Sequence, residues 1–205
     1  MVRKTIVHTP FGKKTLIGEE DRGKVYYYTE GKLKGLVGRV PKDVEHFMPR
    51  PSLKNMALRF RAHQIAYLLF PEWNLRPKRF IPETKEIITQ HVLRSKQNIR
   101  MATSRRETAR QKKVNYPPEA VAPLKKMRLA GIDIQTGKQN VSVVNGKPTF
   151  FAVGGINPKM LRKYIAQTQI TPTRKTAVLK AIELYNQLDR MSDLDVDEHY
   201  LGIQD

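Results

Sequence analysis

The stretch KTLIGEEDRGKVYYYTEGKLKGLVGRVPK, residues 14–42, decides the first part of the fold. Three short runs, TLIG, KVYYYT and GLVGRV, are separated by glycines and by the turn Glu30-Gly31-Lys32. Runs rich in β-branched and aromatic residues, bounded by turn residues, are typical of strands. We therefore predict a small antiparallel meander in this part of the chain.

Two longer segments follow that indicate helices. In residues 52–70, SLKNMALRFRAHQIAYLLF, Ser52 is a candidate N-cap, and apolar residues recur at helical spacing. These are Leu53, Met56, Phe60, Tyr67 and Leu68. Residues 84–113, TKEIITQHVLRSKQNIRMATSRRETARQKK, are predicted as a second helical run that ends before Pro117 and Pro118.

The last third of the chain carries a hairpin signal and two helix starts. NVSVV and TFFAV flank a turn at residues 145–148, and Asn157-Pro158 and Thr171-Pro172 each open a helix. The fold class predicted is α+β, with a β-rich part at residues 1–80 that contains one long helix. Residues 81–190 are predicted to be mainly helical with a hairpin near 140–153, and residues 191–205 to form an acidic tail.

Composition excludes several kinds of chemistry. There is no cysteine, so disulfides and thiol catalysis are excluded, and five scattered histidines do not indicate a metal site. We expect no metal and no cofactor, and we expect His63 to be a hydrogen-bonded helix residue. No apolar run approaches the roughly 20 residues of a membrane span, so we expect a soluble protein with no membrane partner, located in the cytoplasm or within a nucleoprotein particle.

Net charge is the strongest feature of the composition. The chain has 38 Lys and Arg against 19 Asp and Glu, a formal charge of +19. Residues 1–182 hold 37 of these bases and 12 of the acids, since seven acids lie between Glu183 and Asp205. A surface of this charge favours a polyanionic partner, and RNA, DNA or a nucleoprotein assembly is the partner we expect.

The most basic segment is residues 94–113, RSKQNIRMATSRRETARQKK, with a single acid at Glu107. We predict that its bases contact phosphates together with a second basic group in the first half of the chain; the alternative is a charged linker. The predicted nucleic-acid contacts are Arg94, Lys96, Arg100, Arg105, Arg106, Arg110, Lys112, Lys113, Arg59, Arg76, Lys78 and Arg79.

The order of strands, one helix and then a late hairpin resembles that of a protein-kinase-like domain. Residues 16–25, LIGEEDRGKV, resemble the family's glycine-rich loop: Gly18, Gly23 and Val25 match, and Glu20 replaces the middle glycine. The family's strand lysine corresponds to Arg39. Its helix glutamate corresponds to Arg61, so the ion pair between the two is lost.

The resemblance extends to the catalytic loop and the metal-binding triplet. Residues 133–140 resemble the catalytic loop, with Asn140 kept and Gln135 in place of the catalytic aspartate. Ala152-Val153-Gly154 corresponds to the D-F-G triplet, so its magnesium ligand is missing. Asp133 is interpreted as a surface or capping residue rather than a displaced base.

The resemblance covers roughly residues 14–182 and implies a two-lobed domain with a small antiparallel sheet and a mainly helical second part. Without base, metal ligand and ion pair it also implies no kinase activity. The resulting hypothesis is a pseudokinase that binds nucleic acid or a nucleoprotein as a scaffold, with further protein partners in an assembly. Two alternatives stay open: a small atypical phosphotransferase that binds ATP, and a structural subunit of a ribosome-associated or viral particle.

Overall fold

The computed structural model of the chain describes residues 5–20, 23–41, 51–90, 99–101, 103–106, 112–135, 140–144 and 146–201. For Glu20, for all described residues between 99 and 115, and for Glu198, Tyr200 and Leu201, it describes the backbone alone. The architecture is mixed α+β with an antiparallel six-stranded sheet, which confirms the predicted fold class.

The described residues form thirteen strands and five helices. The strands are β1 (Ile6–Thr9), β2 (Gly12–Glu20), β3 (Gly23–Tyr28), β4 (Leu36–Pro41), β5 (Pro77–Ile81), β6 (Glu86–Gln90), β7 (Ile99–Met101), β8 (Thr103–Arg106), β9 (Lys112–Asn115), β10 (Ile132–Ile134), β11 (Val141–Val144), β12 (Lys147–Phe150) and β13 (Val153–Ile156). The helices are α1 (Leu53–Leu69), α2 (Pro118–Leu129), α3 (Pro158–Gln167), α4 (Pro172–Arg190) and α5 (Asp193–Leu201).

The chain divides into two compact units, each made of separate segments. The first unit contains Met1–Phe60, Pro77–Val92 and Leu188–Asp205, and the second contains Arg61–Arg76 and Leu93–Gln187. Two of the four boundaries therefore fall inside helices, one in α1 and one in α4. Contiguous sequence does not define either unit.

The first unit is built on the six-stranded sheet, in the order β1-β2-β3-β4-β6-β5. The β2-β3-β4 part is the antiparallel meander predicted from residues 14–42. Side chains from α1, β5, β6, α4 and α5 form one apolar cluster, and a second cluster gathers around Tyr28, Leu33, Ile81 and Ile88. The first unit thus has two small cores of its own.

The second unit has one larger core. Buried side chains from the second half of α1 pack with residues of α2, β10–β13, α3 and α4. The predicted hairpin is confirmed, since β11 pairs with β12 in the register Val141 to Phe150. The helix starts are confirmed as well: the Asn157 side chain accepts a hydrogen bond from the backbone N–H of Met160 at the beginning of α3.

The segment at residues 84–113 is not the predicted helix where the structure describes it. Its first residues form β6, whose sequence EIITQ contains two isoleucines and a threonine, and four of its five residues are buried. Because consecutive residues of β6 are buried, both of its faces are covered, and the alternation of apolar and polar residues that marks a half-buried strand is absent. Residues 99–101, 103–106 and 112–113 are strand as well.

Two other segments differ from the sequence-based expectation. Most of the acidic segment at residues 191–205 is helical, because α5 covers Asp193–Leu201 and buries Val196. Helix α2 was not predicted, although Pro118 at its first turn, Glu119 near its start and Lys126 and Arg128 near its end are all favourable there.

Candidate nucleic-acid interface and degenerate nucleotide site

The basic segment at residues 94–113 is only partly within the described chain. Arg94, Lys96 and Arg110 lie outside the described residues. Arg100 lies in β7, which pairs with β11, while the other four bases lie on the β8-β9 hairpin. The register of that hairpin sets Arg105 opposite Lys113 and Arg106 opposite Lys112.

The second group of predicted contacts is spread over both units. Arg59 is half-buried, and Arg76, Lys78 and Arg79 are exposed. The Arg79 guanidinium lies over the ring of Phe11, 4.6 Å from its centroid. Arg76 belongs to the second unit and the other three to the first, so this group is not one surface of a single unit.

The second unit has a strongly cationic surface among residues whose side chains are described. Ten Lys and Arg are exposed there, against three exposed acids. The cations are Arg76, Lys125, Lys126, Arg128, Lys147, Lys159, Arg162, Lys163, Lys175 and Lys180, and the acids are Glu72, Asp133 and Glu183. The sequence has no acid at all between residues 134 and 182.

The first unit is balanced by comparison. Its described and exposed side chains include five Lys and Arg and six acids. The cations are Lys32, Lys34, Lys78, Arg79 and Arg190, and the acids are Glu19, Glu30, Glu83, Asp189, Asp193 and Asp195. The positive charge of the described surface is therefore concentrated in the second unit.

The residues that resemble a glycine-rich loop lie on the β2-β3 hairpin of the first unit. Gly18 pairs with Val25, and Glu20 pairs with Gly23 at the end of the hairpin. Arg39 lies on the neighbouring strand β4, opposite Val25. Arg61, on α1, belongs to the second unit, where its Nη1 donates a hydrogen bond of 2.8 Å to Oε1 of Gln64.

The residues that resemble the catalytic loop and the metal-binding triplet meet in the second unit. Strand β10 pairs with β13, so the backbone N–H of Gln135 donates to the carbonyl of Ala152 at 3.1 Å. The Phe151 N–H donates to the Asn140 carbonyl at 2.9 Å. The fold therefore brings Gln135, Asn140 and Ala152 close together.

The chemical groups at this meeting point are mostly neutral. The side chain of Gln135 offers an amide and that of Ala152 only a methyl group. The exposed carboxylate of Asp133 lies close enough to Gly154 that a Cβ there would be 2.6 Å from Oδ2. In the described parts of the chain, no three His, Asp or Glu residues are grouped so that they could hold a metal ion.

His63 is a buried hydrogen-bond acceptor. It lies on α1 with about 7% of its surface exposed, and the backbone N–H of Val153 donates to its Nε2 at 3.2 Å. This contact confirms the interpretation of His63 as a hydrogen-bonded helix residue. It also holds Val153, the residue that follows Ala152, against α1.

The sequence interpretation missed a buried polar cluster in the first unit. Lys14 on β2 and Glu86 on β6 form a salt bridge of 2.6 Å and are 3% and 1% exposed. The hydroxyl of Tyr28 donates to the same carboxylate oxygen at 3.1 Å. The desolvation of Tyr28 by burial, together with the adjacent Glu86 charge, raises its pKa well above the ordinary value.

Within the part of the chain that the structure describes, the second oxygen of Glu86 is buried without a hydrogen-bond partner. It faces Gly38 on β4, where an added Cβ would lie 1.7 Å from this atom. Gly38 therefore provides the space that the carboxylate occupies. Two sequence signals pointed to this cluster. One is the charged Glu86 at the start of the otherwise uncharged run EIITQ, and the other is Gly38 inside the strand-like run GLVGRV.

A shallow groove lies along one face of α2 in the second unit. It has a volume of about 360 Å³ and is lined by Tyr116, Val121, Leu124, Lys125, Arg128 and Leu129. Val121 and Leu129 are 51% and 64% exposed, and both cations are exposed as well. Sequence reasoning did not find this groove, because α2 itself was not predicted.

No protein-family model matches the chain, and no curated protein shows significant similarity to it. Among the helices of the described chain, none combines the length and the apolar character that a membrane crossing requires.

Proposed function

We propose that this protein binds nucleic acid, alone or in a nucleoprotein assembly, through its second unit. The observation that carries the proposal is the cationic surface of that unit, with ten exposed Lys and Arg against three exposed acids among its described side chains. Cations on such a surface displace counterions from a phosphate backbone, which drives binding without sequence readout. A merely soluble protein needs much less charge than +19.

The β8-β9 hairpin supports the same proposal. Its backbone register sets two basic residues of β8 opposite two basic residues of β9. A hairpin of this composition favours a polyanionic partner. The basic segment would then act together with the exposed cations of α2, α3 and α4.

We further propose that the fold is a degenerate kinase-like domain whose nucleotide chemistry is lost. In support, the glycine-rich hairpin β2-β3 is followed by Arg39 on β4 and then by α1, which is the order of the corresponding elements in protein-kinase-like domains. The contact between Gln135 and Ala152 joins the two loop motifs. With a neutral amide and a methyl group at those positions, phosphoryl transfer has neither base nor metal ligand.

Binding should be tested with labelled single-stranded and duplex oligonucleotides over about 50 to 200 mM salt, where each phosphate contact adds roughly 0.9 to the logarithmic salt slope. We expect a steep loss of affinity as salt increases. An affinity independent of salt would contradict phosphate contacts.

The competing function, an atypical phosphotransferase that binds ATP, is tested by thermal unfolding with magnesium and ATP. A ligand at 100 times its dissociation constant stabilises a protein by about 2.7 kcal/mol, which is readily seen as a rise in Tm. We expect no rise. A clear rise with magnesium-ATP and none with magnesium alone would favour the phosphotransferase.

A further inference from the structure

The described chain has few large apolar side chains that are more than half exposed, and two of them, Val121 and Leu129, lie on α2. Residues eight positions apart on a helix lie on one face, and Leu124, Lys125 and Arg128 lie on that same face. The groove therefore combines an apolar floor with two cations. Glu119, the acid of α2, does not line it.

Tyr116, which is half-buried and packs against the core of the second unit, adds an aromatic ring to the lining of this groove. An aromatic ring beside cations is the usual arrangement in proteins that bind single-stranded nucleic acid, because a base stacks on the ring while the flanking backbone phosphates contact the cations. A duplex would not use the groove in this way, since its bases are stacked inside the helix. A volume of about 360 Å³ lies at the lower end of small-ligand sites and is small for a partner helix.

We propose that this groove accepts an unstacked base of a single-stranded nucleic acid, with the flanking phosphates bound by Lys125 and Arg128. The inference rests on the proposed nucleic-acid function and deepens it by naming the form of nucleic acid and the site. A polyanion also suits the surrounding surface. The other exposed cations of the unit continue the charge beyond the groove, whereas a short acidic peptide would use the groove alone.

The test compares three ligands at one salt concentration: a single strand of about 15 nucleotides, a strand of the same length with abasic sugars, and a duplex. The abasic strand keeps the charge and removes the bases. We expect it to bind about tenfold more weakly than the normal strand, within the range that stacking of a single base contributes. We expect the duplex to fall near the abasic strand.

Variants then locate the base-dependent part of the affinity. Tyr116→Ala and, independently, Leu129→Ser should lower the affinity for the normal strand to that of the abasic strand and leave abasic binding unchanged. Leu129 is 64% exposed, so its substitution tests the groove even if Tyr116→Ala unfolds the protein. Met160→Ser is the matched control, because Met160 is an exposed apolar residue of α3 outside the groove.

The possible failures are distinguishable. Equal binding of normal and abasic strands would overturn the groove inference and leave the proposed function standing, whereas no binding of any strand would overturn both. If Leu129→Ser left oligonucleotide binding intact but abolished binding of an acidic amphipathic peptide, the groove would be a protein-docking site and the inference would be wrong.

Discussion

The two units of this protein use charge in opposite ways. The first unit buries a lysine and a glutamate against each other and balances its exposed charges, whereas the second leaves ten cations in solvent with three exposed acids among its described side chains. Burial of Lys14 and Glu86 makes each of them costly to lose. Replacing an exposed cation changes the unfolding free energy of the free protein little. We therefore expect such replacements to change the affinity for nucleic acid instead.

The largest expected effect comes from Lys14→Met. This change leaves Glu86 charged and unpaired inside the first unit, and breaking a buried pair in this way costs about 3–5 kcal/mol of unfolding free energy. Urea denaturation would measure the loss. The adjacent residue provides the control: Lys13 pairs with Glu30 at the surface, so Lys13→Met should cost less than about 1 kcal/mol.

The double variant Lys14→Met with Glu86→Leu sharpens this result. It removes both charges and should recover most of the stability that Lys14→Met loses, because an apolar pair of similar size replaces the ion pair. Equal losses in the single and double variants would show that the cost does not arise from an unpaired carboxylate.

A smaller loss is expected for Gly38→Ala. Its Cβ would lie 1.7 Å from Oε1 of Glu86, so the carboxylate must move and its salt bridge with Lys14 must loosen. Overpacking of this kind costs about 1–3 kcal/mol. Gly18→Ala on the same sheet is the matched control, since its Cβ would meet its nearest neighbour at 3.8 Å; similar losses in both variants would argue against a specific clash.

The second unit should respond to charge reversal in affinity rather than in stability. Lys159→Glu with Lys163→Glu on α3 should weaken nucleic-acid binding about tenfold or more and reduce the logarithmic salt slope by about 2. Lys32→Glu with Lys34→Glu, both exposed in the first unit, should change the affinity much less. Fluorescence-anisotropy titrations of both variants measure these affinities. A larger loss of affinity in the first-unit variant would assign the interface to the first unit instead.

The smallest expected effect is an alkaline one and concerns Tyr28. Its pKa is raised in the folded protein, so its stabilising contribution is complete below the ordinary pKa near 10. Above that pH the unfolded chain loses a proton that the folded chain keeps, and stability falls by up to about 1.4 kcal/mol near pH 11. Tyr28→Phe should be less stable than the natural chain at about pH 8, but its unfolding free energy should fall less between about pH 8 and pH 11. If the stability difference between the two proteins were the same at both pH values, Tyr28 would not be the cause of the alkaline loss.

The parts of the fold that could be predicted from sequence are those with local signals. Helix α1 begins where Ser52 predicts, with the Asn55 N–H donating to its hydroxyl oxygen at 3.2 Å. The meander and the β11-β12 hairpin have glycine turns between β-prone runs. In each case the determining residues lie within a few positions of one another.

The parts that could not be predicted depend on distant contacts. The sequence of β6 alone does not distinguish a strand from a helix, because its pairing partners β4 and β5 determine its structure. The burial of Glu86 likewise depends on Lys14, which is 72 positions away in the sequence. The site shows the same division. The contact between Gln135 and Ala152 joins the two ends of the segment that contains the predicted β11-β12 hairpin, while the α2 groove requires knowledge of which helix face is left uncovered.

The interleaving of the two units constrains how the chain can fold while it is being synthesised. Leu188 and Val196 belong to the same apolar cluster as Met56, Phe60 and Ile87, yet a ribosome adds them more than a hundred residues after Ile87. At about 5–20 residues per second, that cluster stays incomplete for roughly 5 to 20 s after its central residues emerge. During that time the apolar side chains of the cluster that are already synthesised lack part of their packing, and a chaperone that covers them would have its greatest effect on yield.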